Sequence, residues 1–412
     1  MRILLLSAFY PPNAFGGYEV ECSGVAEHLA AAGHDVTVLT SAGGAPASSA
    51  SSAVAVRREL TRLTPDARGA TIAPWASLRA VRSAREALDG VRPELIYVWN
   101  GSSVAQAAIR VLADSGTPLA FRICEHWFGG LFSRDQFMRE LLPADRGPAR
   151  AVWSLGCRAL NNSLPPLRLR PLAPLRTAIS WNSEAIRRMV ETPVFIDPAL
   201  ERIGHSVPRH GDLYAAVEPD RAPEPRILFL GRVTPYKGVS VAIEALAMLR
   251  AEGQPRATLV VVGPEDTDHG TEMRALAARL GTGDAVDFRG QLAPEEAARE
   301  LAHAHALIVP SIWQEPFPLV TIEGALARVP LVASDVGGIG EGMHHEEHAL
   351  LFEGGDARGA ANALARTLGE PEQTEARVAR ALERAQEFRI GPYLEQQERF
   401  VLDAYETLRA PR

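Results

Sequence analysis

The stretch RILFLGRVTPYKG, residues 226–238, decides how the rest of the chain is read. Arg226 to Gly231 is a mostly apolar run closed by a glycine, the pattern of a strand buried in a parallel sheet. A short polar loop then carries Arg232 and Lys237, and Gly238 opens a helical pattern. Two cations at the carboxyl end of a strand, beside a helix N-terminus, form an anion site in an α/β sheet. Composition isolates the lysine: of 43 basic residues 42 are arginine, and Lys237 is the one lysine of the chain. Lysine is a compact charge on a flexible stem and arginine a planar fork, so a site that needs a point charge against a phosphate resists the exchange. A solvated surface lysine is the plain alternative.

Outward from this stretch the chain alternates strands and helices. Upstream, RILLLS (2–7), DVTVLT (35–40), AVAV (53–56), ELIYVW (94–99), PLAFRI (118–123) and TAIS (177–180) are short apolar runs, with a helical pattern at 20–33 between the first two. Downstream the alternation restarts with ILFLG (227–231), ATLVVVG (257–263), AVDF (285–288), HALIVPS (305–311) and PLVAS (330–334). Such alternation predicts doubly wound parallel sheets. The proline-rich VEPDRAPEPR (217–226) reads as a linker between two such units. The tail, 356–409, reads as two or three helices, with Gly391-Pro392 breaking the pattern before a last helix at about 393–408.

Composition narrows the class. The chain has 412 residues, 46% hydrophobic and 23% charged, which fits a globular protein of two domains. The run from Met1 to Ser7 is too short for a signal peptide or a membrane span, and no other segment approaches the ~18 apolar residues a span needs. Widely spaced Cys22, Cys124 and Cys157 suit a reducing cytoplasm and suggest neither a zinc site nor a disulfide framework. The net charge of −7 divides into +4 over residues 1–205 and −11 over the remainder, too slight an asymmetry to name a partner. No nucleic-acid partner is expected.

A second constellation lies in WQEPFPLVTIEGALARVPLVAS (313–334). Glu315 falls in the loop after the strand HALIVPS, and Glu323 about one turn into the next helix, both at the carboxyl edge of the second sheet. Carboxylates accept paired hydrogen bonds from vicinal hydroxyls, so a sugar or a ribose is a natural partner. Alone, each glutamate reads better as a capping or solvated helix residue.

Together the motifs resemble the retaining GT-B glycosyltransferases of glycosyltransferase family 4. The resemblance rests on E-x7-E at Glu315 and Glu323, on G-R-x4-K at Arg232 and Lys237, and on the loop YPPNAFGGYE (10–19). It extends through PELIYVW, VVGP, VASDVGGIGE (332–341) and the final helix. It implies two Rossmann-like domains facing across a cleft. These are an acceptor domain over 1–216, a linker at 217–225 and a nucleotide-sugar domain over 226–389, with the helix at about 390–412 packing back on the first. It implies that Arg232 and Lys237 hold the donor diphosphate, Glu323 the ribose hydroxyls and Glu315 a hydroxyl of the transferred sugar. Phe317, Pro318, Leu319 and the pair Gly16-Gly17 would complete the donor site, and His126, in FRICEHWFGG, would stand near the reacting sugar and acceptor. A structural histidine against Trp127 is the alternative for His126. Catalysis would then need neither cofactor nor metal, with a UDP-, GDP-, ADP- or TDP-sugar and a hydroxyl-bearing acceptor as substrates. An epimerase or phosphorylase on the same fold, or a silent nucleotide-binding subunit, is the alternative reading. A lysine beside Arg232 also has a like charge against it, and bound nucleoside diphosphate is expected to shield its amine from acylation.

Two departures stand out. Pro318 occupies a position where the family usually has glycine, and it has no N–H to donate. HSVP (205–208) replaces an asparagine-glycine turn, so an altered loop without loss of activity is expected. Three other features read as surface. Asp266-Thr267-Asp268 spells the D-x-D of a different, metal-dependent glycosyltransferase fold, and His344, His345 and His348 stand among Glu346 and Glu347. Both fit exposed loops better than metal sites. Residues 146–183, with six arginines and no acid, could form a peripheral membrane face, but a helical packing layer with solvated arginines is the preferred reading.

Overall fold

The computed structural model describes residues 1–13, 17–42, 53–64, 67–132, 174–265 and 267–410. It divides into two compact units. The first comprises Met1–Asn182, Ile186–Gly204 and Leu394–Arg412, and the second Ser183–Ala185 and His205–Tyr393. Among the described residues each unit holds one parallel sheet.

The first sheet has seven strands in the order β3-β2-β1-β4-β5-β6-β7. They are β1 (Arg2–Ser7), β2 (Asp35–Ser41), β3 (Ala55–Leu60), β4 (Leu95–Asn100), β5 (Leu119–Ile123), β6 (Leu175–Trp181) and β7 (Ile196–Ile203). Helices α1 (Gly17–Ala31), α2 (Ala67–Val91) and α3 (Gln106–Ala113) make crossovers, and α4 (Glu184–Met189) follows β6. The central strands are apolar on both faces: Ile3 to Leu6 and Leu95 to Trp99 are fully buried. That is what a sheet covered on both sides requires. Strand β3 begins inside the AVAV run and extends through Arg57-Arg58-Glu59 to Leu60, as an edge strand with alternating exposure does. Strand β7 was not foreseen from the sequence. It is an edge strand carrying Pro198 and mostly exposed or half-buried residues, so it lacks the apolar signal of the others.

The second sheet has six strands in the order β10-β9-β8-β11-β12-β13. They are β8 (Arg226–Leu230), β9 (Thr258–Val262), β10 (Val286–Gly290), β11 (Ala306–Val309), β12 (Leu331–Ser334) and the unforeseen three-residue β13 (Leu350–Phe352). Its helices are α5 (Gly211–Ala215), α6 (Val239–Ala251), α7 (Thr267–Arg279), α8 (Pro294–His303), α9 (Leu319–Leu326), α10 (Ile339–Gly342), α11 (Ala357–Gly369) and α12 (Pro371–Ala385). The stretch expected as a linker, 217–225, lies within this second unit, and the chain changes unit between Gly204 and His205. Arg221 straps the stretch down by donating to the carbonyls of Leu301, Ala302 and Arg328, while Arg328 donates back to that of Val217.

The last helix, α13 (Ile390–Arg409), starts ahead of Gly391-Pro392, which sits in its first turn, where a proline costs no helical hydrogen bond. From Leu394 onward it belongs to the first unit. There Gln397 accepts from the buried hydroxyl of Tyr97 at 3.1 Å, Glu398 meets His28 at 2.9 Å, and the ring of Phe400 lies 5.8 Å from that of Tyr97. No described helix is long and apolar enough to cross a membrane.

Candidate functional site

Strand order reverses once in each sheet, between β1 and β4 in the first and between β8 and β11 in the second. Ligands of open α/β sheets bind outside the carboxyl ends of the strands at such a switch point. In the second unit the two loops that leave this point are those singled out from the sequence. Gly231 and Arg232 follow β8, a short 3-10 turn spans Pro235–Lys237, and α6 begins at Val239. Glu315 lies in the loop between β11 and α9, and Glu323 stands on α9.

The two loops meet through charge. Lys237 Nζ donates to Glu315 Oε1 at 2.6 Å, and Ser311 Oγ donates to the same oxygen at 2.5 Å. The Glu315 side chain is 4% exposed and that of Lys237 22%, so the carboxylate is enclosed while solvent still reaches the amine. The ion-pair partner of Lys237 is thus a carboxylate. Exposed Arg232 turns to the ring of Tyr236, 5.7 Å from its guanidinium, and this ring packs on Trp313 at 5.2 Å. The like-charge environment expected for Lys237 is corrected accordingly.

Backbone contacts set this spacing. Gly238 has φ +71°, and a Cβ there would fall 1.9 Å from the carbonyl oxygen of Pro310, so only glycine lets the Lys237 loop lie against the end of β11. On the far side Gly337 and Gly338 press on the Glu315 loop. Cβ atoms there would lie 2.1 Å from the Glu315 oxygen and 2.3 Å from that of Pro316, while the Gly338 N–H donates to the Glu315 carbonyl at 2.7 Å. The Gly-Gly pair within VASDVGGIGE therefore shapes the glutamate loop. Neither Ser311 nor this glycine pair was assigned a role from the sequence, although the pair stood in plain view beside the motif.

Pro318 is the N-cap of α9 and Leu319 its first residue. Phe317 is 7% exposed, so what it can offer a ligand is backbone. Glu323, one turn further, is half-buried and has no side-chain partner among the described residues. Loss of surrounding water pushes its carboxyl up to about 7. Tyr214 of α5 feels it: burial, and then the nearby Glu323, raise its hydroxyl above the ordinary value.

In the first unit Gly17 opens α1, while Gly16 lies outside the described residues. The Tyr18 hydroxyl lies within hydrogen-bond reach of the Trp99 carbonyl and 2.7 Å from that of Arg122, and the indole N–H of Trp99 donates to the Tyr18 carbonyl at 3.1 Å. These bonds pin the start of α1 to the ends of β4 and β5. His126 is exposed in the 3-10 turn His126–Gly130 after β5, whereas Trp127 is buried in the core below.

The remaining motifs sort as follows. Ligand atoms of His344, Glu347 and His348 lie within 4.8 Å of one another. The backbone N–H of His344 donates to His348 Nδ1 at 3.0 Å, which leaves the proton of neutral His348 on the nitrogen a metal would need. Asp268 lies in the first turn of α7, and Asp266 is outside the described residues. Of the basic stretch 146–183, only residues 174–183 are described, and Leu175–Trp181 are strand β6.

Comparisons with known proteins bear on the family and the fold. Residues 214–384 match the family model described as glycosyl transferases group 1, and residues 16–151 that of a glycosyl transferase 4-like domain. A D-inositol 3-phosphate glycosyltransferase of Acidothermus cellulolyticus is 38% identical over 148 residues, 34% of this chain and 33% of that protein. The chain thus spans about a third of that relative's length. A glycogen synthase of Mycobacterium tuberculosis is 28% identical over 405 residues, covering 93% of this chain and 90% of that one. Among solved structures, sucrose-phosphate synthase from Thermosynechococcus elongatus superposes with a TM-score of 0.72 at 22% identity, over 98% of this chain and 99% of the other. HepE of Anabaena, in complex with UDP-glucose, gives 0.68 at 19% identity, over 97% and 99%. With both units matched by models of one enzyme class, on a fold shared with solved members, the chain belongs to the GT-B glycosyltransferases of the family 4 type.

Proposed function

We propose that the chain is a retaining, metal-independent glycosyltransferase that takes its sugar from a nucleoside-diphosphate donor. The observation that carries this reading is the Lys237–Glu315 ion pair at the switch point, with the carboxyl of Glu323, partnerless among the described residues, one turn along α9. Arg232 and Lys237 take the diphosphate, Glu323 the ribose diol and Glu315 a sugar hydroxyl. Phe317 and Leu319 line the same site through the loop and the start of α9. Pro318 there withholds an N–H, which bears on which sugar is accepted. In the reaction the anomeric C–O bond breaks and its electron pair stays on the departing phosphate. The acceptor oxygen bonds to the carbon on that same face and gives its proton to the phosphate. No enzymic nucleophile is required. Charge grows on the phosphate as the bond opens, so fixed cations favour the transition state over the ground state. In the first unit, Gly16-Gly17 and exposed His126 serve the reacting sugar and the acceptor.

The acceptor is a hydroxyl-bearing small molecule, glycan or lipid-linked sugar, and no cofactor takes part. Free, buried Cys22 and Cys124 fit a cytoplasmic setting. The test is a thermal-shift panel of UDP-, GDP-, ADP- and TDP-sugars, in which a ligand at 100 times its dissociation constant adds ~2.7 kcal/mol. The anomeric configuration of the transferred sugar is then read by NMR. A product inverted at that carbon would overturn retention, and a panel without any stabilising nucleotide sugar would overturn the donor assignment.

A further inference from the structure

The segment HSVP (205–208), where the sequence departs from the family pattern, places an aromatic side chain against the donor loop. The His205 ring lies 4.7 Å from that of Phe317 in a tilted contact with an interplanar angle of 34°. Phe388 closes the set, 5.7 Å from His205 in an edge-on contact and 5.5 Å from Phe317. His205 is itself tied down: its Nε2 lies 3.2 Å from Glu341 Oε2. The Glu341 carboxylate also accepts from the backbone N–H groups of Glu184 and Ala185, and the Arg384 guanidinium lies over the Phe388 ring. Phe317 sits between Glu315 and the N-cap of α9, so whatever fixes its ring fixes the backbone on either side.

We infer that His205 is a positioning residue for the donor. Anchored by Glu341, its imidazole clamps Phe317 against Phe388 and so holds the Glu315–Pro318 loop where Glu315 meets the transferred sugar. This inference rests on the reading of Glu315 given above. Among the described residues none of Arg232, Lys237 and Glu323, the groups that bear on the diphosphate and ribose, shares a hydrogen bond, ion pair or ring contact with His205, so the clamp acts on the sugar end of the donor and not on the nucleotide end. A misplacement of a reacting group by about 1 Å costs on the order of 100-fold in rate.

The experiment compares His205→Ala, His205→Phe, His205→Gln and Glu315→Ala, using the sugar nucleotide selected by the thermal-shift panel and its free nucleoside diphosphate. Expected for His205→Ala is a fall in kcat of about 10- to 100-fold with nucleoside-diphosphate affinity unchanged. His205→Phe keeps the ring and recovers most of kcat, whereas His205→Gln keeps a donor for Glu341 but not the ring contact and stays impaired. Wild-type kcat in His205→Ala, a loss that Phe does not recover, or nucleotide affinity falling in step with kcat would each overturn the inference. The control separates the two levels. An impaired Glu315→Ala beside an active His205→Ala overturns the clamp alone, while an active Glu315→Ala overturns the reading of the loop beneath it.

Discussion

The two sheets carry ion pairs of opposite character near the carboxyl ends of their strands. In the first unit Arg122, on β5, meets Glu21 of α1 at 2.9 Å with side-chain exposures of 0% and 3%. Arg122 also donates to Ser180 Oγ at 3.1 Å, and its guanidinium lies 5.8 Å from the Trp99 ring. In the second unit Lys237 and Glu315 meet at 2.6 Å, but the lysine keeps 22% of its side chain in reach of solvent. The first pair is sealed and interlocked with its surroundings, and no ligand can exchange with either member. In the second, an incoming phosphate can reach Lys237 from solvent while the enclosed Glu315 carboxylate keeps the hydroxyl of Ser311. A charge pair near the carboxyl edge of a sheet serves cohesion in one unit and stays open to solvent in the other.

Breaking each pair should therefore give opposite phenotypes. Arg122→Ala removes the guanidinium from the buried Glu21 carboxylate, and loss of stability on the order of 3–5 kcal/mol is expected in chemical denaturation. Lys237→Ala should lower kcat by 100-fold or more, on the order of 3 kcal/mol of barrier, with a smaller loss of stability than in Arg122→Ala, because the Glu315 carboxylate keeps the Ser311 hydroxyl. Lys237→Arg should remain impaired, since a wider planar head cannot occupy the point facing Glu315. Equal losses of stability in both alanine variants would erase the distinction between sealed and available pairs.

Sharper discrimination comes from the two glutamates. Glu323→Ala should weaken binding of free nucleoside diphosphate and slow transfer together, while Glu315→Ala slows transfer and leaves nucleotide affinity nearly intact; calorimetric titration of both variants checks this. On the proposed reading, in which Arg232 and Lys237 supply the charge, transfer should also survive EDTA. Activity lost to chelation and restored by Mg²⁺ or Mn²⁺ would bring Asp266 and Asp268 back as ligands.

The smallest expected effect concerns pH. Burial raises the folded-state value of Glu323 to about 7, above its ordinary carboxylate value, so the folded chain favours the neutral form. That contribution to stability is complete below the unfolded value and is lost as pH rises through about 7. A ribose diol donates to the charged form, so nucleotide affinity should run the other way, falling roughly tenfold between about pH 8 and pH 6. Glu323→Gln should flatten both profiles. A wild-type affinity flat across that range would show that the nucleotide does not engage this carboxyl.

What was legible in the sequence follows the strength of its apolar signal. Strands such as LVVV and LLLS, buried on both faces, announce themselves, and the cations and carboxylates at their ends are placed by counting outward from them. Strand β7 and the three residues of β13 gave no such signal, since an edge strand with Pro198 is half polar and LLF is too short to show a period. The stretch 217–225 looked like a linker because it is rich in proline and charge. Only the fold shows that Arg221 spends its donors holding it to the second unit. The glutamates could be singled out by spacing, but their partners could not. That Lys237 pairs with Glu315, or that His205 packs on Phe317, depends on loops brought together in the fold.

The glycine pair at 337 and 338 limits how this enzyme can be re-engineered. A Cβ on either would lie 2.1 Å from the Glu315 oxygen or 2.3 Å from that of Pro316, so neither segment has room to bulge. Lengthening or shortening either one would pull the other out of register, so an insertion scan across 314–318 should return dead variants. New sugar preferences would have to be sought by exchanging side chains on a loop of fixed length, with Pro318 the first position to randomise.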